Sequence, residues 1–337
     1  MPLRIVEMMV KEGDRQVSSF IEGVPVVNIW TIGLKDGSDI VRILLDAKHT
    51  EVLSDILTRE FGSRDGFRII LLPVEATLPA IEEAAEGKEE AMEPPPAGKT
   101  PERISREELY EDVAQGAKLT RVYVAMIALS TIVAAVGLIR DDIAIVIGAM
   151  VIAPLLGPNV SLSLASTLGD LNLARRSLTT IGVGVATATA LSILLGVALN
   201  VDPLVPAIHA RTRAGLADVA LALAAGAAGS LAFTSGVPAV VVGVMVSVAL
   251  LPPLVVMGLL LGSGHLELAF GSFILLLTNV TCVNLAAVST FVIQRVQPRT
   301  WWEAERAKGA TRIALAIWII MLAILVSLIL SGQIGAV

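Results

Sequence analysis

The sequence predicts an α-helical polytopic membrane protein carrying a small soluble α+β domain at its N-terminus. Three observations lead there. Of 337 residues, 55% are hydrophobic and 17% charged, and the mean hydropathy is +0.77, too apolar for a soluble chain of this size. The charge is uneven: most acids precede residue 118, and long apolar runs begin at Leu119. Those runs also recur as two similar copies, which argues for an internal duplication.

Residues 1–77 read as six short elements. "LRIVEMMV" (Leu3–Val10) alternates like a strand, and "GDRQVSSFIEG" (Gly13–Gly23) has helical spacing at Val17, Phe20 and Ile21. "VVNIWTIGL" (Val26–Leu34) and "DIVRILLDA" (Asp39–Ala47) read as strands around the turn "KDGS". "HTEVLSDILTREFG" (His49–Gly62) is an amphipathic helix with Val52, Ile56 and Leu57 on one side, and "FRIILLPVEAT" (Phe67–Thr77) closes as a strand. The order β-α-β-β-α-β predicts a ferredoxin-like sandwich. Such a head can hold subunits together or bind a regulator; with no glycine-rich phosphate loop and no metal cluster in its residues, the assembly or docking role is the favoured expectation.

Residues 78–104 contain the acidic, proline-rich "EEAAEGKEEAMEPPPAGKTPE", which lacks the apolar residues to build a core and reads as a flexible linker. "SREELYEDVAQGAK" (Ser105–Lys118) opens with Ser105 and Glu108 in capping-box spacing, predicting a juxtamembrane helix over 105–118.

Residues 119–337 hold seven apolar segments, roughly 119–139, 143–168, 178–199, 218–233, 236–262, 267–294 and 313–331. "GAMVIAPLLGP" (Gly148–Pro158) aligns without a gap with "GVMVSVALLPP" (Gly243–Pro253). The register continues through Gly169 with Gly264, Leu173 with Leu268 and Ser177 with Ser272. The copies span 119–199 and 218–294. Each holds three spans, so the second lies upside down: an inverted repeat of three plus three spans with an extra C-terminal span. Lys118, Arg121, Arg175, Arg176, Arg295, Arg299, Arg306, Lys308 and Arg312 fall on the side of the head, and Arg140, Arg211 and Arg213 on the other. That bias predicts a multi-pass protein of the inner or plasma membrane with a cytoplasmic N-terminus.

"STIVAAVGLIRDDIAIVIGAMVIAPLLGPNVSLSLASTLGD" (Ser130–Asp170) resembles the signature of a hydrophobic membrane-protein family, domain of unknown function 389. The head, "SREELYEDV" and "VGVMVSVALLPPL" (Val242–Leu254) resemble it as well. The resemblance implies an integral membrane protein of prokaryotes and carries no activity with it.

The candidate site lies where the spans should break. Pro154, Gly157 and Pro158 interrupt the second segment, and Pro252 and Pro253 the fifth. Carbonyls freed there must be buried in protein or line a wet cavity, and paired breaks at corresponding repeat positions point to a binding site. Freed carbonyls suit a cation; the half-helix start at Asn159 suits an anion. The sixth segment adds "TNVTCVNLAAVST", whose Asn279 and Asn284 either bond between helices or face the same cavity. Arg140, Asp141 and Asp142 sit at a span end, where they can pair with each other. No acid, lysine or histidine lies deep in a span, no nucleophile stands beside a base, and the single cysteine is Cys282. No enzyme activity, cofactor, metal or nucleic-acid partner is expected. The favoured function is a transporter or channel for a small solute or ion, with a cytoplasmic regulatory or assembly head and self-association into a homo-oligomer. The alternative is a non-transporting membrane scaffold or ligand sensor.

Overall fold

The computed structural model describes residues 3–11, 17–21, 23–35, 37–64, 67–74, 106–199, 201–235, 239–296 and 301–331. The chain divides into two compact units, Met1–Glu108 and Leu109–Val337. The expected linker over 78–104 and the capping residue Ser105 lie outside the described residues.

The first unit contains β1 (Leu3–Lys11), α1 (Val17–Phe20), β2 (Val26–Gly33), β3 (Ser38–Asp46), α2 (Thr50–Phe61) and β4 (Ile69–Val74). The sheet order is β2-β3-β1-β4, with every neighbouring pair antiparallel. Period-2 alternation sends Val6, Met8 and Val10 of β1 and Val41, Ile43 and Leu45 of β3 to one face, where Val17, Ile21, Leu53, Leu57 and Phe61 cover them. The buried stripe of α2 is Leu53, Leu57 and Phe61. Val52, expected on that stripe, is half exposed. One residue of shift turns a helical position by about 100°, which is enough to exchange Val52 for Leu53 against the sheet. The opposite face of the sheet leaves Met9, Trp30, Ile32, Ile70 and Leu72 exposed, around a Glu7–Arg42 ion pair of 2.6 Å.

Helix α3 (Arg106–Gly116) leads into the second unit. There follow α4 (Arg121–Ile139), α5 (Ile143–Ile152), α6 (Leu156–Leu168), α7 (Leu171–Ala198), α8 (Pro206–His209), α9 (Leu216–Thr234), α10 (Ala239–Gly262), α11 (Leu266–Ile293) and α12 (Trp301–Leu330). Among the described residues, α4, α7, α9, α11 and Gly309–Leu330 are long and apolar enough to cross a membrane. The pair α5–α6, bent by 53°, makes a sixth such element. The expected segment 236–262 falls on α10, whose first residues border the undescribed 236–238.

Local chemistry sets the ends. Thr120 caps α4 by accepting from Tyr123 N–H at 3.0 Å, and Asp170 caps α7 by accepting from Asn172 and Leu173 N–H. The charged trio at the α4–α5 turn is put to a use other than mutual pairing. Asp142 caps α5 through Ala144 and Ile145 N–H. Asp141, at φ 54°, accepts from Ala207 N–H at 2.8 Å. A carboxylate at a helix start gains more from unpaired backbone donors than from an exposed arginine.

Element bounds repeat with the sequence. The first and last residues of α9 and α11 lie 95 positions after those of α4 and α7. Gly169 and Gly264, at matched positions, take φ of 70° and 85° at the turns before α7 and α11. Packing repeats too. Helix α4 packs on α5 and α7, α9 packs on α10 and α11, α10 crosses to α7, and α11 crosses to α6. Helix α12 packs on α6 and α11, with Thr311 donating to Thr167 C=O at 2.9 Å.

Candidate functional site

The first break forms at Ala153–Leu155, between α5 and α6. Pro154 stands in it and denies Met150 C=O its usual i+4 donor. Pro158 does not break the chain further: it occupies the first turn of α6, where a missing N–H costs nothing. The break is enclosed by protein. Ala153 and Leu155 are buried; Ser247 of α10 donates to Ala153 C=O at 3.3 Å, and Asn159 Nδ2 to Leu155 C=O at 2.8 Å.

The second break, expected at Pro252 and Pro253, does not form. Helix α10 runs through both prolines. The alignment explains the asymmetry: Pro253 matches Pro158, but Ala249 stands where the first copy has Pro154, so the residue that opens the first break is missing from the second. Pro253 still denies Ala249 C=O its i+4 donor, and Asn279 Nδ2 of α11 supplies one at 2.7 Å. Asn279 thus replaces the hydrogen bond that the proline removes.

Asn284, one and a half turns further along α11, meets the other copy. Its Nδ2 donates to Val280 C=O at 2.8 Å and to Asn159 Oδ1 at 3.4 Å. Its Oδ1 accepts from Ser163 Oγ at 2.9 Å. Asn159, Ser163, Asn279 and Asn284 are all nearly or fully buried. The seam therefore joins α6, α10 and α11 through four of the eight residues expected at the site, Asn159, Pro253, Asn279 and Asn284. Pro154 and Pro158 flank it, and Pro252 adjoins Pro253. One polar atom in it, Asn279 Oδ1, is buried without a hydrogen-bond partner, as is Thr278 Oγ1 one residue before it on α11, a condition that carries a free-energy penalty in an apolar surround. Cys282 is buried on the same helix.

Gly157 faces elsewhere. A Cβ on it would lie 2.9 Å from Gly116 Cα, so the end of α3 and the start of α6 touch backbone to backbone. Ser161 donates to Val113 C=O, Thr180 to Ala117 C=O at 2.7 Å, and Tyr110 O–H to Asp170 at 2.7 Å. Burial and then this bond push the Tyr110 phenol up to about 12. Helix α3 thus lies antiparallel along α6, and the break stands toward the Lys118 end of the bundle. That contact escaped the sequence reading; its only trace is the small pair Gly116–Ala117 closing an otherwise amphipathic helix. Ser163 and Ser247 were missed as well, because a single serine in an apolar helix most often bonds back to its own turn.

No solved structure matches the chain. A family model described as a domain of unknown function (DUF389) matches residues 150–285, a stretch that runs from the end of α5 past Asn284. An uncharacterised protein of Methanocaldococcus jannaschii is 37% identical over 298 residues, covering 88% of each chain. With a relative of that identity over most of its length and the family model matching within it, the chain belongs to the family of the domain of unknown function DUF389.

Proposed function

We propose that the protein is a membrane transporter or channel for a small solute or ion, built as an inverted repeat around the α6–α10–α11 seam. The observation that carries this reading is Asn279 Oδ1, a buried acceptor without a hydrogen-bond partner in a seam that adjoins a broken span, with the Thr278 hydroxyl, next to it in the chain, likewise buried and unpartnered. Unpaired polar atoms next to irregular backbone suit a polar guest that a purely structural seam would not need. The recurrence of helix bounds at one fixed offset supports the repeat. So does the Ser247–Ala153 bond, whose partners are 94 residues apart and so nearly equivalent in the two copies. A contact between near-equivalent residues is what a two-fold axis between α5–α6 and α10 produces. Three spans per copy make that axis lie in the membrane plane.

The head, with ferredoxin-like strand order, is read as an assembly or regulatory domain. Its exposed apolar sheet face supports homo-oligomer formation. The bias of basic residues toward the Lys118 end supports a cytoplasmic side for that end and for the head.

A second reading, a non-transporting scaffold or sensor, draws support from the rest of the seam, where Asn159, Ser163 and Asn284 satisfy one another. Flux into liposomes across a panel of ions and small solutes separates the two. Under the transport reading, Asn279→Leu and Thr278→Val abolish a flux that the wild type shows, while the protein still inserts and melts cooperatively. Wild-type chain that carries none of the panel, or variants with undiminished flux, leave the scaffold reading standing.

A further inference from the structure

We infer that a second site, separate from the seam, binds the phosphate of an anionic phospholipid headgroup. It is a cavity of about 510 Å³ between the α3–α4 connection and the first three turns of α7. Its wall holds Lys118, Arg175 and Arg176, with Asn172 as a neutral donor, Thr179, whose hydroxyl donates to Arg175 C=O at 2.8 Å, and Leu119. Asn172, Arg175, Arg176 and Thr179 follow i, i+3, i+4, i+7 spacing and share one face of α7. The Thr180 bond to Ala117 C=O fixes the connection against that face.

The electrostatics favour an anion. Among the described residues, none of the three cations has an ion-pair partner. The neighbouring acid, Asp170, is already held by Tyr110 O–H and by the N–H groups of Asn172 and Leu173. Three like charges around one cavity repel each other until a counter-anion enters, and a phosphate oxygen accepts from guanidinium and ammonium groups at once. Position selects the lipid over a free ion. The cavity lies where the apolar part of α4 begins: Leu119 lines it and is 45% exposed, and Val122 and Leu178, on the two helices whose ends bound it, are 70% and 55% exposed. A soluble phosphate has no use for those side chains, whereas acyl chains lie along them. Basic pockets at the ends of spanning helices recognise lipid headgroups in this way.

The test uses the full chain in neutral detergent, melted with dioleoylphosphatidylglycerol, dioleoylphosphatidylcholine or inorganic phosphate. Phosphatidylglycerol is expected to raise the melting temperature of the wild type and of the charge-conserving variant K118R/R175K/R176K, and phosphatidylcholine to leave both unchanged. In K118Q/R175Q/R176Q the apparent affinity for phosphatidylglycerol should fall by about tenfold or more. If that triple variant does not insert, R175Q alone carries the test, with a loss of about fivefold. Equal affinity in wild type and neutralised variants overturns the site. Inorganic phosphate acting as strongly as the lipid overturns its assignment to a headgroup. Neither outcome depends on whether the seam transports anything.

Discussion

Asn279 and Pro253 should be energetically coupled, because one supplies the hydrogen bond that the other removes. In Asn279→Leu, the C=O of buried Ala249 loses its side-chain donor and has no N–H at residue 253 to replace it. An orphaned buried acceptor costs about 1–3 kcal/mol, and bonds between membrane helices average nearer 0.6 kcal/mol; the part of the loss owed to this bond is therefore about 1 kcal/mol. Pro253→Ala restores an N–H four residues on from Ala249. In that background the same Asn279→Leu change should cost under about 0.5 kcal/mol. Removal of the unpartnered Asn279 Oδ1 relieves both backgrounds equally and cancels in the cycle, as does the small cavity left by the proline ring. Reversible unfolding of the four proteins in bicelles measures the coupling. A cost for Asn279→Leu that is the same with and without Pro253 would refute the assignment of Asn279 as the donor that replaces the missing N–H.

Further predictions concern the rest of the chain. Gly157→Ala or Gly116→Ala places a Cβ within 2.9 Å of the facing backbone and should destabilise the second unit by about 1–3 kcal/mol; melting temperatures equal to wild type would show that α3 does not pack as described. A fragment of residues 1–77 should melt cooperatively, since it contains the whole cluster from Val6 to Phe61. In that fragment burial, then Lys48, hold the His49 imidazole below its ordinary 6.5, against a smaller opposing pull from Asp46. The unfolded chain therefore binds the proton first, so His49's contribution is complete above pH 6.5 and is lost as pH falls through the lower folded value. His49→Gln should flatten the melting profile between about pH 7 and 5; an unaltered slope would exclude His49 as its source. Cysteines placed at exposed Glu111 and at Leu204, in a Cys282→Ala background, should label from opposite sides of the membrane, and labelling of both from one side would exclude the proposed orientation.

What the sequence determined by itself is whatever depends on composition and local spacing. Alternation gave the first three strands of the head within one residue and began the fourth two residues early, apolar run length gave the five or six elements long enough to cross a membrane among the described residues, and the gapless match of Gly148–Pro158 with Gly243–Pro253 has the same offset of 95 as the bounds of α4 with α9 and of α7 with α11. Hydrogen bonding within a helix and side-chain alternation along a strand are short-range, so a window of residues contains their causes. That the second copy keeps its helix where Pro154 breaks the first was already written in the sequence, since Ala249 stands at the position matching Pro154. Only the tertiary structure decided what meets the carbonyl that Pro253 strands: it is Asn279, 30 residues beyond Ala249. The pairing of Asn159 with Asn284 across 125 residues and the seating of Gly116 on Gly157 are of the same kind. A proline states which donor is missing; the partner that replaces it comes from another helix, and its identity follows from how the helices pack.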